Sequence, residues 1–182
     1  MTPLDRFIQS WRIRKAKPYI QPGSRLLDIG ASDAPLFKSV SHVGTYVGVD
    51  PDLGTGRQLA PNARLVKGFF PDCIQGEAPF DCITMLAVLE HIPLEMQPKM
   101  AADCAAYLKS GGYLVVTAPS PFVDRILAVL KTLRLIHGMA LEEHYGYDVN
   151  ATPQLFSTAG FQLIRKSRFQ LGLNNLFIFT KE

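Results

Sequence analysis

Arg25-Leu26-Leu27-Asp28-Ile29-Gly30-Ala31-Ser32-Asp33-Ala34 and Thr45-Tyr46-Val47-Gly48-Val49-Asp50 are the two stretches of sequence that decide the fold. Each predicts a short apolar strand that brings an acid to its carboxyl end, and about 20 residues separate Gly30 from Asp50. Glycine at the first turn allows the backbone to approach a ligand closely, and Asp50 can accept the hydroxyl hydrogens of a ribose. This pattern is typical of nucleoside-binding α/β folds.

The composition of the first turn favours a cofactor without phosphate groups. A dinucleotide site needs several glycines, so that backbone amides can contact a pyrophosphate, whereas this turn continues with Ser32, Asp33 and Ala34. A carboxylate beside a diphosphate would repel it. S-adenosylmethionine has a sulfonium and an ammonium and no phosphate, so an anionic turn suits it. We therefore predict S-adenosylmethionine in preference to NAD.

Four phrases of the chain resemble class I S-adenosylmethionine-dependent methyltransferases of the small, single-domain kind. They are Leu27 to Ser32, Val47 to Asp50, Phe80 to His91 and Tyr107 to Val116, in the family's order. The resemblance implies a Rossmann-like three-layer α/β sandwich. Its seven-stranded, mostly parallel sheet has the order 3-2-1-4-5-7-6, with an antiparallel last strand.

The pattern of apolar residues predicts alternating strands and helices along the chain. The short connection Leu171 to Asn175 between the last two strands predicts a hairpin. The predicted strands are Leu26 to Ile29, Tyr46 to Val49, Arg64 to Lys67, Asp81 to Met85, Gly112 to Thr117, Phe161 to Phe169 and Leu176 to Thr180. The predicted helices are Asp5 to Lys17, Leu36 to Val40, Gly54 to Leu59, Pro98 to Leu108 and Pro153 to Ala159.

Length and composition predict one cytoplasmic domain over residues 1–182. The formal charge of +3 is too small to require a nucleic-acid or membrane partner. The three cysteines lack metal-ligand spacing, which favours reduced thiols, and we find neither a secretory segment nor an 18-residue apolar run. The cations of residues 12–17 form either a solvated helix face or a surface for a polyanion.

A long connection over about residues 119–152 is predicted to be a lid-like insertion. Within it, Asp124 to His137 places apolar residues at helical spacing. This segment either packs on the core as a helix or lid, or docks on a membrane or a lipid-like substrate.

The predicted cofactor site follows the matching phrases. By the resemblance, Asp28 and Gly30 border the donor and Asp50 holds its ribose, while Asp33 either contacts the donor or caps a helix. Phe69 stands where the family often has an acid that meets the adenine amine. Phe70 is therefore a candidate to flank the adenine, or a core residue, and Asp72 a candidate acceptor, or a turn residue. The further predicted cofactor contacts are Ala31, Pro51 and Leu86.

Three residues are candidates for the chemical step. Glu90 and His91 follow the fourth predicted strand and face the cleft in the resemblance, although a cap or salt link would explain them equally. A related magnesium-using group has a further glutamate where this chain has Ala87, so we predict no metal. His144 lies between acids, which keep its pKa high, and is either the proton acceptor or a residue of a surface loop.

The leading hypothesis is methyl transfer to a small-molecule or lipid-like acceptor. The basic residues near the amino terminus motivate RNA methylation as an alternative. The sequence shows no interleaving of aromatic and basic residues, and this counts against RNA as the acceptor. A second alternative is a protein that binds S-adenosylmethionine without catalysis, motivated by the glycine-poor turn and Phe69. Peripheral membrane contact remains compatible with the sequence.

Overall fold

The strands of the molecule form one eight-stranded sheet in this computed structural model, which describes residues 3–120 and 147–182. The sheet order is β3-β4-β2-β1-β5-β6-β8-β7. The strands are β1 (Arg25–Ile29), β2 (Thr45–Asp50), β3 (Arg57–Ala60), β4 (Ala63–Lys67), β5 (Phe80–Leu86), β6 (Leu108–Pro119), β7 (Phe161–Phe169) and β8 (Asn174–Lys181).

Seven of these strands confirm the predicted fold class and its order. Strands β4, β2, β1, β5 and β6 pair in parallel, so their carboxyl ends lie along one edge of the sheet. Strand β8 lies antiparallel between β6 and β7, as the predicted hairpin requires. The sheet order changes direction between β1 and β5, which is where ligands bind in open α/β sheets.

The eighth strand corrects a sequence prediction. The predicted helix at Gly54 to Leu59 is wrong, because Arg57–Ala60 forms β3, antiparallel to β4 at the edge of the sheet. A turn at Pro61 and Asn62 folds the segment back, and the Asn62 side chain donates to the Val43 and Gly44 carbonyl oxygens. Pairing with β4 gives the backbone N–H and C=O groups of this segment hydrogen-bond partners. In a helix of only six residues most of these groups would have none.

The helices cover both faces of the sheet. Helix α1 (Pro3–Ala16) packs Ile13 and Ala16 on the face that carries Leu26. Helices α2 (Gln97–Tyr107) and α3 (Thr152–Ser157) pack on the face of Leu27 and Ile29. Side chains alternate along a strand, so both faces of β1 are apolar because each meets helices.

One further predicted element differs from the structure, and another cannot be compared with it. The predicted helix Leu36 to Val40 is a single 3-10 turn at Phe37–Ser39. Most of the predicted insertion, residues 121–146, lies outside the described residues. None of the helices built from the described part of the chain is long and apolar enough to cross a membrane.

Candidate functional site

The turn after β1 uses its backbone amides within the protein. The amides of Gly30 and Ala31 both donate to the Val49 carbonyl oxygen, at 2.8 and 3.2 Å. The Ser32 amide donates to Asp50 Oδ2 at 2.8 Å, and the Ala34 amide donates to the Ala31 carbonyl oxygen at 2.8 Å. A phosphate-binding turn directs such amides at its ligand. These four amides are already engaged, which disfavours a phosphate site here.

Asp50 is held by two backbone donors at the end of β2. Besides the Ser32 amide, the Asp52 amide donates to Asp50 Oδ1 at 2.9 Å. A carboxylate offers about four lone-pair positions, so each oxygen retains room for one more donor. Asp50 is half-buried and lines a cavity of about 220 Å³. The backbone therefore fixes the orientation of this carboxylate and leaves an acceptor position on each oxygen, and its predicted contact with a ribose stays a prediction.

The cavity is negatively charged overall. Its charged lining consists of Asp33, Asp50, Asp52 and Arg57, and Arg57 Nη2 forms an ion pair with Asp33 Oδ1 at 2.9 Å. Asp33 is 81% exposed, so it remains accessible from solvent. Arg57 is not among the residues predicted from the sequence, because its segment is predicted there to be a helix. The sequence feature that could have indicated it is a basic residue shortly after Asp50, the acid that ends β2.

Asp28 lies beneath this turn in the buried face of the sheet. Its Oδ2 accepts a hydrogen bond from Tyr46 Oη at 2.8 Å, and its Oδ1 accepts one from Thr84 Oγ1 at 2.7 Å. Burial raises the pKa of Asp28 from 3.8 to about 6, although both hydrogen bonds oppose that change. Both oxygens are thus engaged from inside the protein, and the predicted contact with the donor stays a prediction.

Gly48 makes room for the Tyr46 ring beside Asp28. A Cβ atom at Gly48 would lie 2.7 Å from Ala31 Cβ and 3.0 Å from Tyr46 Cε1. Tyr46 and Gly48 are two apart in β2 and share a face with Asp28 across the parallel register. Tyr46 is not among the residues predicted from the sequence. The feature that could have indicated its contact with Asp28 is that both are polar residues in apolar strands, β2 and β1, that pair with each other.

Gly30 is required by a close approach between the β1 turn and the loop after β5. Its φ is +76°, and a Cβ atom there would lie 2.4 Å from Val88 Cγ2. The glycine therefore lets the two loops meet at the point where the sheet order changes direction.

The residues after β4 separate into core and surface. Phe70 is buried, and its ring packs edge-on against Tyr107 with centroids 5.2 Å apart, which favours its alternative role in the core. Phe69 is 73% exposed, and Asp72 is exposed at the start of a 3-10 turn.

The other predicted cofactor contacts lie at the ends of three strands. Ala31 is buried in the turn after β1, while Pro51 and Leu86 are half-buried at the ends of β2 and β5. Their predicted cofactor contacts stay predictions.

Glu90 and His91 lie in one 3-10 turn after β5 and differ in burial. Glu90 is 2% exposed and His91 is exposed. Burial raises the pKa of Tyr147, whose hydroxyl forms a hydrogen bond with Thr152 Oγ1, and the nearby charge of Glu90 raises it further. The structure thus brings Glu90 near Tyr147 inside the fold. His144 lies outside the described residues.

Metal ligands are not gathered at this edge in the part of the chain that the structure describes. No three His, Cys, Asp or Glu side chains among those residues are placed to hold a metal ion. The prediction that the protein uses no metal stays a prediction.

The family model described as "Methyltransferase domain" matches residues 4–166. No curated protein matches the sequence significantly.

Three solved structures share the fold at low sequence identity. A TehB-like SAM-dependent methyltransferase from Corynebacterium glutamicum is 15% identical, with 98% of this chain and 97% of that one covered and a TM-score of 0.66. The N-methyltransferase NodS from Bradyrhizobium japonicum is 12% identical, with 100% and 98% covered and a TM-score of 0.65. Magnesium protoporphyrin IX methyltransferase from Synechocystis, solved with bound SAH, is 15% identical, with 97% and 83% covered and a TM-score of 0.63.

Proposed function

The chain belongs to the family of methyltransferase domains, and from this premise we propose that it transfers a methyl group from S-adenosylmethionine to a small-molecule or lipid-like acceptor. The nucleophile's lone pair forms a bond to the methyl carbon, and the electron pair of the carbon–sulfur bond stays on sulfur. A proton on the nucleophile leaves to a base or to water. Holding the nucleophile in line with the methyl carbon and sulfur is the protein's main task.

The observation that carries the proposal is the arrangement of Asp50 and the β1 turn. Asp50 keeps acceptor positions free beside the cavity, while the amides of Gly30, Ala31 and Ser32 already donate to the protein. This combination supports binding of a ribose without an attached phosphate, which adenosine compounds such as S-adenosylmethionine and S-adenosylhomocysteine provide. NAD would place a diphosphate next to Asp33.

The charge of the cavity supports the same cofactor. Three carboxylates and one guanidinium line it, so the local charge is negative even with the Asp33 ion pair. The sulfonium and ammonium of S-adenosylmethionine are attracted to such a surface. Asp33 and Asp52 are the proposed charge partners, and Asp28 and Gly30 are proposed to border the donor at the end of β1.

The general base is proposed among Glu90, His91 and His144. The burial of Glu90 next to Tyr147 supports a role for Glu90 in positioning the segment that follows the long connection. His91 is accessible at the surface of the same turn.

Titration with S-adenosylhomocysteine tests cofactor binding. We expect saturable binding by calorimetry, and a loss of about tenfold to a hundredfold in affinity for Asp50→Asn, because charge-assisted hydrogen bonds are worth about 1.5–3 kcal/mol. Asp103→Asn is the matched control, because Asp103 pairs with Lys99 on α2. No binding at millimolar S-adenosylhomocysteine, or competition by NAD at equal concentration, would refute the proposal.

Transfer of a tritiated methyl group tests the acceptor class. A cell extract incubated with the protein and methyl-labelled S-adenosylmethionine is separated into lipid, small aqueous compounds, protein and RNA. We expect label in the lipid or small-molecule fraction. Label confined to RNA would establish the alternative acceptor, and donor binding without any label would indicate a non-catalytic protein.

A further inference from the structure

Helix α1 presents a basic and aromatic outer face. Its inner side buries Ile13 and Ala16, while its outer side and the turn that follows expose the residues that we call the α1 outer face. These residues are Arg6, Phe7, Trp11, Arg14, Lys15 and Lys17, of which Trp11 is half-buried and the others are exposed.

The cations of the α1 outer face are exposed to solvent. Within residues 5–120 and 147–182, the structure shows no ion pair to Arg6, Arg14, Lys15 or Lys17. Arg165 of β7 extends the face, since its Nη1 donates to Tyr19 Oη at 3.3 Å, just after Lys17. These five cations are thus carried by α1, the turn after it and the neighbouring part of β7, although the whole chain carries a formal charge of only +3.

Exposed apolar side chains lie beside these cations. Phe7 is 57% exposed and its ring meets Trp11 edge-on, with centroids 5.5 Å apart. Leu171, in the β7–β8 turn, is 100% exposed. The turn is tied to the helix next to Phe7, because Gln170 Nε2 donates to the Ile8 carbonyl oxygen at 3.0 Å. Apolar tips surrounded by cations are typical of surfaces that lie in the headgroup region of a bilayer.

We propose that the α1 outer face and the β7–β8 turn dock this protein on a bilayer that contains anionic lipid. The cations complement lipid phosphates and carboxylates, and Phe7 and Leu171 enter the headgroup region. Two observations favour lipid over RNA. The Arg14 guanidinium lies 5.3 Å from the centre of the Trp11 ring and covers it, so that face of the ring is closed to a stacking base. Leu171 is aliphatic and offers no surface for stacking.

Docking would bring the β7–β8 end of the sheet's carboxyl edge to the membrane. Asn174, the first residue of β8, pairs with Pro119 at the end of β6, so the β7–β8 turn lies at the same edge as Asp50. A lipid-like acceptor would then reach this edge from the bilayer; this consequence rests on the proposed function, whereas docking itself does not.

Vesicle binding followed by tryptophan fluorescence tests the proposal. Trp11 is the only tryptophan of the chain, so its emission reports on this face. We expect a blue shift and co-sedimentation with vesicles of phosphatidylcholine containing phosphatidylglycerol, and neither with phosphatidylcholine alone. Each lysine near an anionic surface contributes about fivefold in partitioning, so Lys15→Glu with Lys17→Glu should weaken binding at least about twentyfold.

Two further variants separate docking from general effects. Lys38→Glu is the control for a single charge reversal, to be compared with Lys15→Glu and Lys17→Glu taken one at a time. Lys38 is exposed on a 3-10 turn that is not part of α1, and its variant should bind within about threefold of the unchanged protein. Leu171→Gly removes the apolar tip at a φ of +55°, which glycine accepts, and should weaken binding without unfolding the protein.

Several outcomes would overturn the proposal. These are failure to bind anionic vesicles, equal binding to both vesicle types, or equal weakening by Lys38→Glu and by the single variants Lys15→Glu and Lys17→Glu. Binding to single-stranded RNA with the Trp11 shift, and not to vesicles, would assign the face to nucleic acid instead. None of these measurements involves S-adenosylhomocysteine, so a failure here is distinguishable from failure of the proposed function.

Discussion

Replacing Asp28 by Asn tests the energetic role of the buried carboxyl under the β1 turn. Burial raises the pKa of Asp28 from 3.8 to about 6, against the hydrogen bonds from Thr84 and Tyr46. A raised pKa means that the folded protein binds a proton more tightly than the unfolded chain. This contribution to stability is fully present below pH 3.8 and is lost as the pH rises through about 6. The difference of about two pKa units corresponds to about 3 kcal/mol of unfolding free energy.

Asparagine fits the same contacts without a charge. Its oxygen can accept from Tyr46 Oη, and its amide can donate to Thr84 Oγ1, whose hydroxyl lies 3.4 Å from the Leu27 carbonyl oxygen. We therefore expect Asp28→Asn to be more stable than the unchanged protein at about pH 7.5, by up to about 3 kcal/mol, with this advantage disappearing near about pH 4.

Urea denaturation across this pH range measures the effect. The informative quantity is the difference in unfolding free energy between the two proteins at each pH, because other titrating groups cancel in it. A difference that does not change between about pH 4 and about pH 7.5 would show that Asp28 does not titrate near 6, and would refute the reasoning. Uniform destabilisation by Asp28→Asn would show that the amide does not reproduce the two hydrogen bonds.

Two further stability predictions follow from neighbouring residues. Gly30→Ala should cost about 2–4 kcal/mol and Gly23→Ala only about 1 kcal/mol, because both need a positive φ but only the Gly30 methyl meets Val88. Chemical denaturation compares the two variants, and equal costs would contradict the clash. Burial would raise the pKa of Asp81, but the hydrogen bond from the Arg25 amide and nearby cations lower it overall. The contribution of Asp81 to stability is present above its pKa in the unfolded chain and is lost as the pH falls through its pKa in the folded protein. Asp81→Asn should therefore lose more stability at neutral pH than at acid pH, which is the opposite trend to Asp28→Asn. The same trend in both variants would contradict this prediction.

The strands of the central sheet were predictable because their side chains are apolar on both faces. Residues such as Leu26 and Leu27 must both be buried, and only a strand covered by helices on two sides achieves this. The hairpin of β7 and β8 was predictable for another local reason, since five connecting residues cannot cross over a sheet. The segment Gly54 to Leu59 was misjudged because nothing within it indicates that the free edge of β4 is available for pairing.

Some residues of the candidate site could likewise be predicted from the sequence, and others could not. Asp50 could be located from the sequence because it directly follows an apolar strand at a characteristic distance from Gly30. The sequence could not show that Glu90 points inward and His91 outward, because adjacent residues of a tight turn face directions that depend on packing. Arg57 joins the cavity through an edge pairing that has no local signature.

The sequence by itself determined which segments are buried strands, their α/β class and the acid that ends β2, since these depend on apolar periodicity and short-range spacing. Only the tertiary structure decided that Asp28 is held by Tyr46 and Thr84, and that Gly30 meets Val88. Only it joined the β7–β8 turn to α1, through the hydrogen bond from Gln170 to the Ile8 carbonyl oxygen. The physical reason is that these contacts link residues far apart in the chain, through strand register and loop packing that arise only when the sheet assembles.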